Sequence, residues 1–290
     1  MAASEPPQPI LRPTARDAEA LWELSIEAGW NQVAADWRLM IQAGHAFAIK
    51  DAEGSFIASA LTIPLARAIW WISMVLVRKP QRGRGYGTAL LARVIAEVEA
   101  QRGAMGLDAT EFGRPIYLPL GFRDVHPQSR WSAREGVRDA IGPPAGIALR
   151  SATEQDLSRI AQYDAARGGF ARSSVLADLL ARAPHLAQVA ERAGGDLAGY
   201  VLGRNGYRAT HIGPIGADAE AIALALLSSA MAAADRQVIV DVPDHHQGVG
   251  RWLGSKGATV SRRYMRMLRG TAPAVEDGSH VFAIAGPELG

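Results

Sequence analysis

Residues Val75 to Leu91 constrain this chain more than any other stretch: an apolar run, a glycine-dense turn, then a helical pattern without a break. Such a turn presents consecutive backbone N–H groups at a helix N-terminus, where unpaired donors and the positive end of the helix dipole attract phosphate oxygens. Gly83, Gly85 and Gly87 keep side chains out of the way of a bulky anion and tolerate positive φ. Arg82 and Arg84 add positive charge at the mouth. The segment reads as a pyrophosphate cradle.

Its spacing separates it from two well-known cradles. A Walker-type loop closes on Gly-Lys-Ser/Thr, whereas this turn closes on Tyr86, Gly87 and Thr88. A dinucleotide-binding turn needs a further glycine three residues after the second, where this chain has Thr88, and an acidic residue downstream that is missing at the usual distance.

The surrounding pattern predicts an α/β organisation in two halves. Thr14 caps a helix to about Ala28, and a second helix runs through Met40. Ile10–Arg12, Ala46–Lys50, Phe56–Leu65 and Ile69–Val77 read as strands, the last apolar almost throughout. After the cradle helix come a strand at Met105–Thr110, a short helix, and a strand pair at Phe122–Val125 and Trp131–Arg134. Gly136–Gly146 is the best linker. The order then begins again: a strand at Ile147–Arg150, helices to about Ala183, strands at Leu186–Arg192, Leu197–Gly203 and Tyr207–Ile215, and a helix at Ala219–Ala234. A strand at Val238–Val242, a short helix and a strand at Thr259–Leu268 complete it. In this second copy the turn after the third strand carries no arginine, and Asp218 already occupies the anion position.

Arg82-x-x-Gly85-x-Gly87 resembles the coenzyme A signature of the GNAT-type N-acetyltransferase superfamily. The resemblance covers about residues 8–135 in element order as well as in the motif. It implies two tandem GNAT-like domains, 1–140 and 146–290, each a mixed, twisted, mostly antiparallel sheet flanked by helices. The first would bind acetyl-CoA and the second would be degenerate. It also implies main-chain contacts from Met74, Val75, Leu76 and Val77 to pantetheine, and from Arg82, Gly83, Arg84, Gly85, Tyr86, Gly87 and Thr88 to the pyrophosphate. Tyr117, in Tyr-x-x-x-Gly-Phe, matches the family tyrosine that protonates the departing thiolate. A main-chain N–H near Leu76 would hold the oxyanion. Trp30-Asn31-Gln32 with Asp36-Trp37, Asp241-Val-Pro-Asp244 and the final Phe282–Gly290 are similar to a bacterial tandem subgroup, which places Trp30, Asn31, Asp36 and Trp37 at the acceptor.

The family glutamate on the strand before the cradle is absent, since Trp70–Val77 contains no acid. Asp36, Asp108, Glu111 and His45 are the candidate bases, alongside a water chain. Cysteine is absent, which excludes an enzyme-bound thioester and leaves direct attack by a primary amine of a small molecule or peptide. A non-catalytic acyl-CoA sensor or scaffold is the alternative. The rear half is open to three roles: roofing the acceptor, contributing acceptor contacts, or dimerisation. Lysine occurs only at positions 50, 79 and 256 and the arginines are scattered, against nucleic-acid binding. The start lacks a signal-peptide pattern and no apolar run would cross a bilayer, so the expectation is cytoplasmic. Adjacent His245 and His246 diverge in the expected geometry and have no evident third ligand, so no metal is expected.

Overall fold

The computed structural model describes residues 8–66, 69–134 and 140–290. Residues 136–139 of the linker expected at 136–146, and the first seven residues, fall outside them. The described chain forms two compact units, Met1–Gly106 with Gly206–Arg208, and Leu107–Asn205 with Ala209–Gly290.

In the first unit the helix starts are built by carboxylates. Asp17 accepts the Thr14 amide at 2.8 Å, opening the turn that leads into α1 (Ala18–Ala28). Gly29 at φ 71° takes the left-handed conformation that ends α1. Asp36 accepts the Val33 amide at 2.9 Å and caps α2 (Ala34–Ala43). Leu21, Leu24, Trp37 and Met40 are buried between the two helices and the sheet. That sheet begins as an antiparallel meander, β1 (His45–Lys50), β2 (Phe56–Ala66) and β3 (Ile69–Val77). The helix after the glycine turn, α3 (Tyr86–Ala100), buries Leu90, Leu91, Val94, Ile95 and Val98 as one stripe. It returns the chain to β4 (Ala104–Thr110), which lies parallel to β3 over Ile69–Trp71 against Ala104–Gly106. The expected first strand at Ile10–Arg12 is reduced to one bridge, Leu11 to Ala48.

The second unit starts within β4 and continues through α4 (Arg114–Tyr117) and β5 (Arg123–Ala133). Then follow β6 (Ile147–Ser151), α5 (Leu157–Gly168), α6 (Ser173–Arg182), β7 (Gln188–Arg192) and β8 (Leu197–Asn205). Next are β9 (Thr210–Ala217), α7 (Glu220–Ala233), β10 (Val238–Pro243), α8 (Gln247–Ser255), β11 (Thr259–Arg269), α9 (Pro273–Asp277) and β12 (Val281–Ala283). The strands run in the order β11-β5-β10-β9-β8-β7-β6, with β12 on β9. α7 packs one face on β7, β8 and β9 and also meets α8 and the turn at Pro184–Leu186, which together bury most of its alanine- and leucine-rich sequence.

Two further expectations are corrected. The strand pair at 122–125 and 131–134 is the single strand β5, because β11 pairs along its whole length. Pro127 is tolerated there because the β10 ladder stops at Gln128, so no β10 partner needs the missing N–H. β5 thus lies between two strands of the rear half, β10 and β11. Finally, Tyr207 is not in a strand: β9 starts at Thr210, and Gly206–Arg208 join the first unit. There the Asn31 carbonyl accepts the Tyr207 amide at 2.7 Å and its Oδ1 accepts the Arg208 amide at 2.9 Å. A Cβ at Gly206 would stand 2.2 Å from Asn31 Nδ2, so only glycine allows this approach.

Candidate active site

The cradle is formed by backbone. β3 ends at Val77, a short turn over Lys79–Gln81 follows, and Arg82 returns to extended geometry. Gly83 at φ 77° and Gly85 at φ 84° then swing the chain into α3, with Gly85 as its N-cap. A side chain meets a steric penalty in this region of φ, which glycine avoids. A Cβ at either position would face open space, so what glycine supplies here is conformation and clearance together. The amides of Gly83, Arg84, Gly85, Tyr86, Gly87 and Thr88 have no acceptor among the described residues. Ala89 is the first to donate back, to Gly85, at 2.9 Å. Six adjacent donors at the positive end of a 15-residue helix are an arrangement that attracts anions. Arg84 is exposed and has no acidic partner among the described residues; the Arg82 side chain donates to the Val77 carbonyl at 3.2 Å. Tyr86 points inward and is buried, anchoring the turn.

Upstream, the turn is tied down by charge. Arg78 donates to the Phe56 carbonyl at 2.8 Å and to Glu23 at 2.7 Å, while Glu27 accepts the Lys79 amide at 2.7 Å. These bonds fix the exit of β3 against α1.

β3 carries an irregularity that no residue type announced. Ser59 pairs Leu76 and Leu61 pairs Ser73, so Met74 and Val75 together oppose Ala60, a β-bulge. Met74 sits at φ 53°, strained for a side chain of its kind, and its carbonyl is held by the Ser59 hydroxyl at 2.8 Å. Ser73 beside it is buried with an unpartnered hydroxyl oxygen. Beyond Trp71, β3 has no ladder to β4 among the described residues, so main-chain groups between Ile72 and Val77 are left without a β4 partner, apart from the Met74 and Val77 carbonyls, which side chains of Ser59 and Arg82 occupy. A sequence reading that looks for glycine at strained positions had no signal for Met74.

Tyr117 ends α4. Its ring meets Phe122 edge-on at 5.8 Å, its hydroxyl has no partner among the described residues, and desolvation pushes that hydroxyl up to about 12. The candidate bases fare differently. His45 bonds Glu97 at 2.9 Å and tilts against Trp70. Asp36 is the buried cap of α2. Asp108 is buried in a bidentate pair with Arg266, both bonds 2.9 Å, and takes a third bond from Gln128 at 2.7 Å. Burial nevertheless raises its carboxyl above the usual range, against the pull of Arg266. Glu111 is exposed. Of the acceptor candidates, Trp30 is half-buried and Asn31 is engaged with Tyr207 and Arg208. Trp37 is fully buried and donates to Ser25 Oγ at 3.0 Å.

In the rear half the corresponding turn is filled by the chain. Asp218, just before α7, accepts the Tyr163 hydroxyl at 2.8 Å and Arg192 at 2.6 Å, and pairs with Arg167 at 3.0 Å. Burial opposes its ionisation, and these donors outweigh that and hold its carboxyl below the usual range. The expectation that His245 and His246 diverge is corrected: their rings approach to 4.3 Å, and His126 meets His245 at 5.1 Å. Even so, no group of three or more His, Asp or Glu among the described residues could hold a metal ion.

Two family models match this chain, both described as acetyltransferase (GNAT) domains, one over residues 15–138 and one over 160–283. The chain is a tandem GNAT protein. The front match contains the cradle and Tyr117, and the rear match contains the turn filled by Asp218. The tandem GNAT chain is 24% identical to the uncharacterized N-acetyltransferase YitH of Bacillus subtilis over 271 residues, covering 93% of this chain and 94% of the relative. Among solved structures it resembles a putative acetyltransferase from Pyrococcus horikoshii, with a TM-score of 0.78 at 18% identity over 98% of this chain and 96% of that one. It also resembles a tandem GNAT protein from the clavulanic acid biosynthesis pathway, with a TM-score of 0.64 at 14% identity over 91% and 99% of the chains. The fold is therefore a tandem GNAT fold, mixed α/β with mostly antiparallel strands. Among the described residues no helix is long and apolar enough to cross a membrane.

Proposed function

We propose that this protein is a cytoplasmic, acetyl-CoA-dependent N-acetyltransferase, with domains at 1–140 and 146–290. The front domain would transfer an acyl group to a primary amine of a small molecule or peptide by direct attack within a ternary complex. The observation that carries the reading is the run of unpaired amides from Gly83 to Thr88 at the start of α3. Neutral ligands gain little from such a run, whereas a diphosphate can satisfy several of its donors at once.

The residues present fit coenzyme A. The amides from Gly83 to Thr88, with Arg82 and Arg84, would hold its pyrophosphate, and the edge from Met74 to Val77, which β4 does not cover, would hold its pantetheine arm. When bound, the cofactor supplies an activated thioester. The chain's own contribution is positional and protonic. Arg78, Glu23 and Glu27 fix the end of β3, so that the donors keep one geometry. Tyr117, protonated throughout the neutral range, is the proton donor for the leaving sulfur. Asp108 is held by Arg266 and Asp36 by its helix cap, so neither serves as base in this reading. A water chain or Glu111 fills that role.

The test is thiol release from acetyl-CoA against a panel of amines and peptides. Release with at least one acceptor, abolished when the acceptor's amine is blocked, supports transfer. Tight coenzyme A binding without release for any acceptor would favour a non-catalytic acyl-CoA sensor instead.

A further inference from the structure

The two GNAT domains treat the same place in their sheets differently. In the rear domain, parallel pairing between β9 and β10 is limited to Thr210 with Val238 and His211 with Ile239. Where the pairing stops, the exposed main-chain groups of β9 need partners, because unpaired buried N–H and C=O groups are costly. β12 supplies them. Val281 pairs Gly216 and Ala283 pairs Ile215, antiparallel. The Ala217 amide donates to the His280 carbonyl at 3.1 Å, and on the other side the Ile284 amide donates to the Asp241 carbonyl of β10 at 3.0 Å. The segment therefore bonds both strands that part.

Side chains hold the segment as firmly as its backbone does. Phe282 belongs to the rear hydrophobic core and stacks on the His246 ring at 4.0 Å. Ile284 is fully buried, and a Cβ at Gly213 would stand 2.1 Å from its carbonyl oxygen, so glycine alone lets the segment seat. Arg204 then clasps the following turn, donating to the Ala285 carbonyl at 2.6 Å and pairing with Glu288. On β3 of the front domain the corresponding edge carries no such strand among the described residues.

We infer that His280–Ile284 is a built-in ligand that fills the opening between β9 and β10 and closes the rear domain to coenzyme A. This rests on the front-domain reading, in which the free β3 edge receives pantetheine. Together with Asp218 at the head of α7, the segment leaves the rear domain neither a strand edge nor an anion site. A tandem chain of this kind binds one cofactor, in front.

Hydrogen exchange on the full-length wild-type protein tests this without any variant that could misfold. The amides of Ala217 and Ile284 are expected to exchange in the slowest class, with those of β10, and to keep that rate when coenzyme A is added. Titration calorimetry is expected to give one site per chain, weakened about 30-fold in Gly85→Glu. Exchange at Ala217 and Ile284 as fast as in exposed turns would overturn the inference. So would a second coenzyme A site that survives in Gly85→Glu and slows exchange along β9. Failure of the front reading looks different: binding untouched by Gly85→Glu, with β9 exchange indifferent to the ligand.

Discussion

Replacing Gly85 separates conformation from charge in one position. Gly85 lies at φ 84° with open space where a Cβ would go, so Gly85→Ala meets no clash. Its cost is the left-handed backbone, about 1 kcal/mol for a residue with a Cβ, which should lower Tm by about 2 °C in a chain of this size. That strain burdens free and bound protein equally, so the coenzyme A Kd of Gly85→Ala should stay within about threefold of wild type. Gly85→Glu has the same backbone cost and adds a carboxylate at the mouth of the amide run. At about 5 Å from a diphosphate bearing two charges, the repulsion is about 7 kcal/mol at an effective dielectric of about 20. The turn is exposed, and water and salt cut this to about 2 kcal/mol, or about 30-fold in Kd. Calorimetry at low and high salt reads both numbers. The two variants should melt together and bind apart, and the gap in Kd should narrow as salt rises. Equal coenzyme A affinity in wild type and Gly85→Glu would refute the cradle.

Four further outcomes follow from the same geometry. Tyr117→Phe should slow turnover by about 10- to 100-fold, within the range of general acid catalysis, while coenzyme A affinity stays nearly unchanged. Because desolvation holds the Tyr117 hydroxyl up to about 12, the wild-type rate should not fall on its account until well above pH 10, and a loss at lower pH would assign the acid elsewhere. Asp108→Asn strands the buried Arg266 without its carboxylate and should cost about 3–5 kcal/mol, read as a large drop in denaturant midpoint; a near-neutral result would mean the pair is not closed in solution. Asp241 is buried beside Arg130 at 2.7 Å and bonds His211, and despite the penalty of burial these partners hold its carboxyl well below the ordinary range. Its stabilisation is therefore present above about pH 4, the unfolded value, and is lost as pH falls through the lower folded value. Thermal melts across pH 2–6 should show wild type losing stability more steeply with acid than Asp241→Asn, which starts less stable.

The glycine turn before α3 was legible from sequence because it is local. A strand, a turn and a helix formed by adjacent residues fix their own geometry, and glycine at 83 and 85 reports the left-handed backbone that the structure has. Asp218 was legible for the same reason, one turn away from the helix it heads. The stripe of Leu90, Leu91, Val94, Ile95 and Val98 declared α3 by period alone. Met74 was not legible, since nothing about methionine signals a bulge and the strain is imposed by pairing with β2.

What the sequence by itself determined is thus the glycine turn that opens α3 in front and the aspartate that precedes α7 behind, each set by neighbouring residues through backbone sterics and the helix dipole. Only the tertiary structure decided where β5 pairs, that Asn31 receives Tyr207 and Arg208, that Asp108 is claimed by Arg266, and that His280–Ile284 seats between β9 and β10. These unions join residues far apart in the chain. Each is chosen by which buried N–H, C=O or charge would otherwise lack a partner, a quantity that no short window of residues contains.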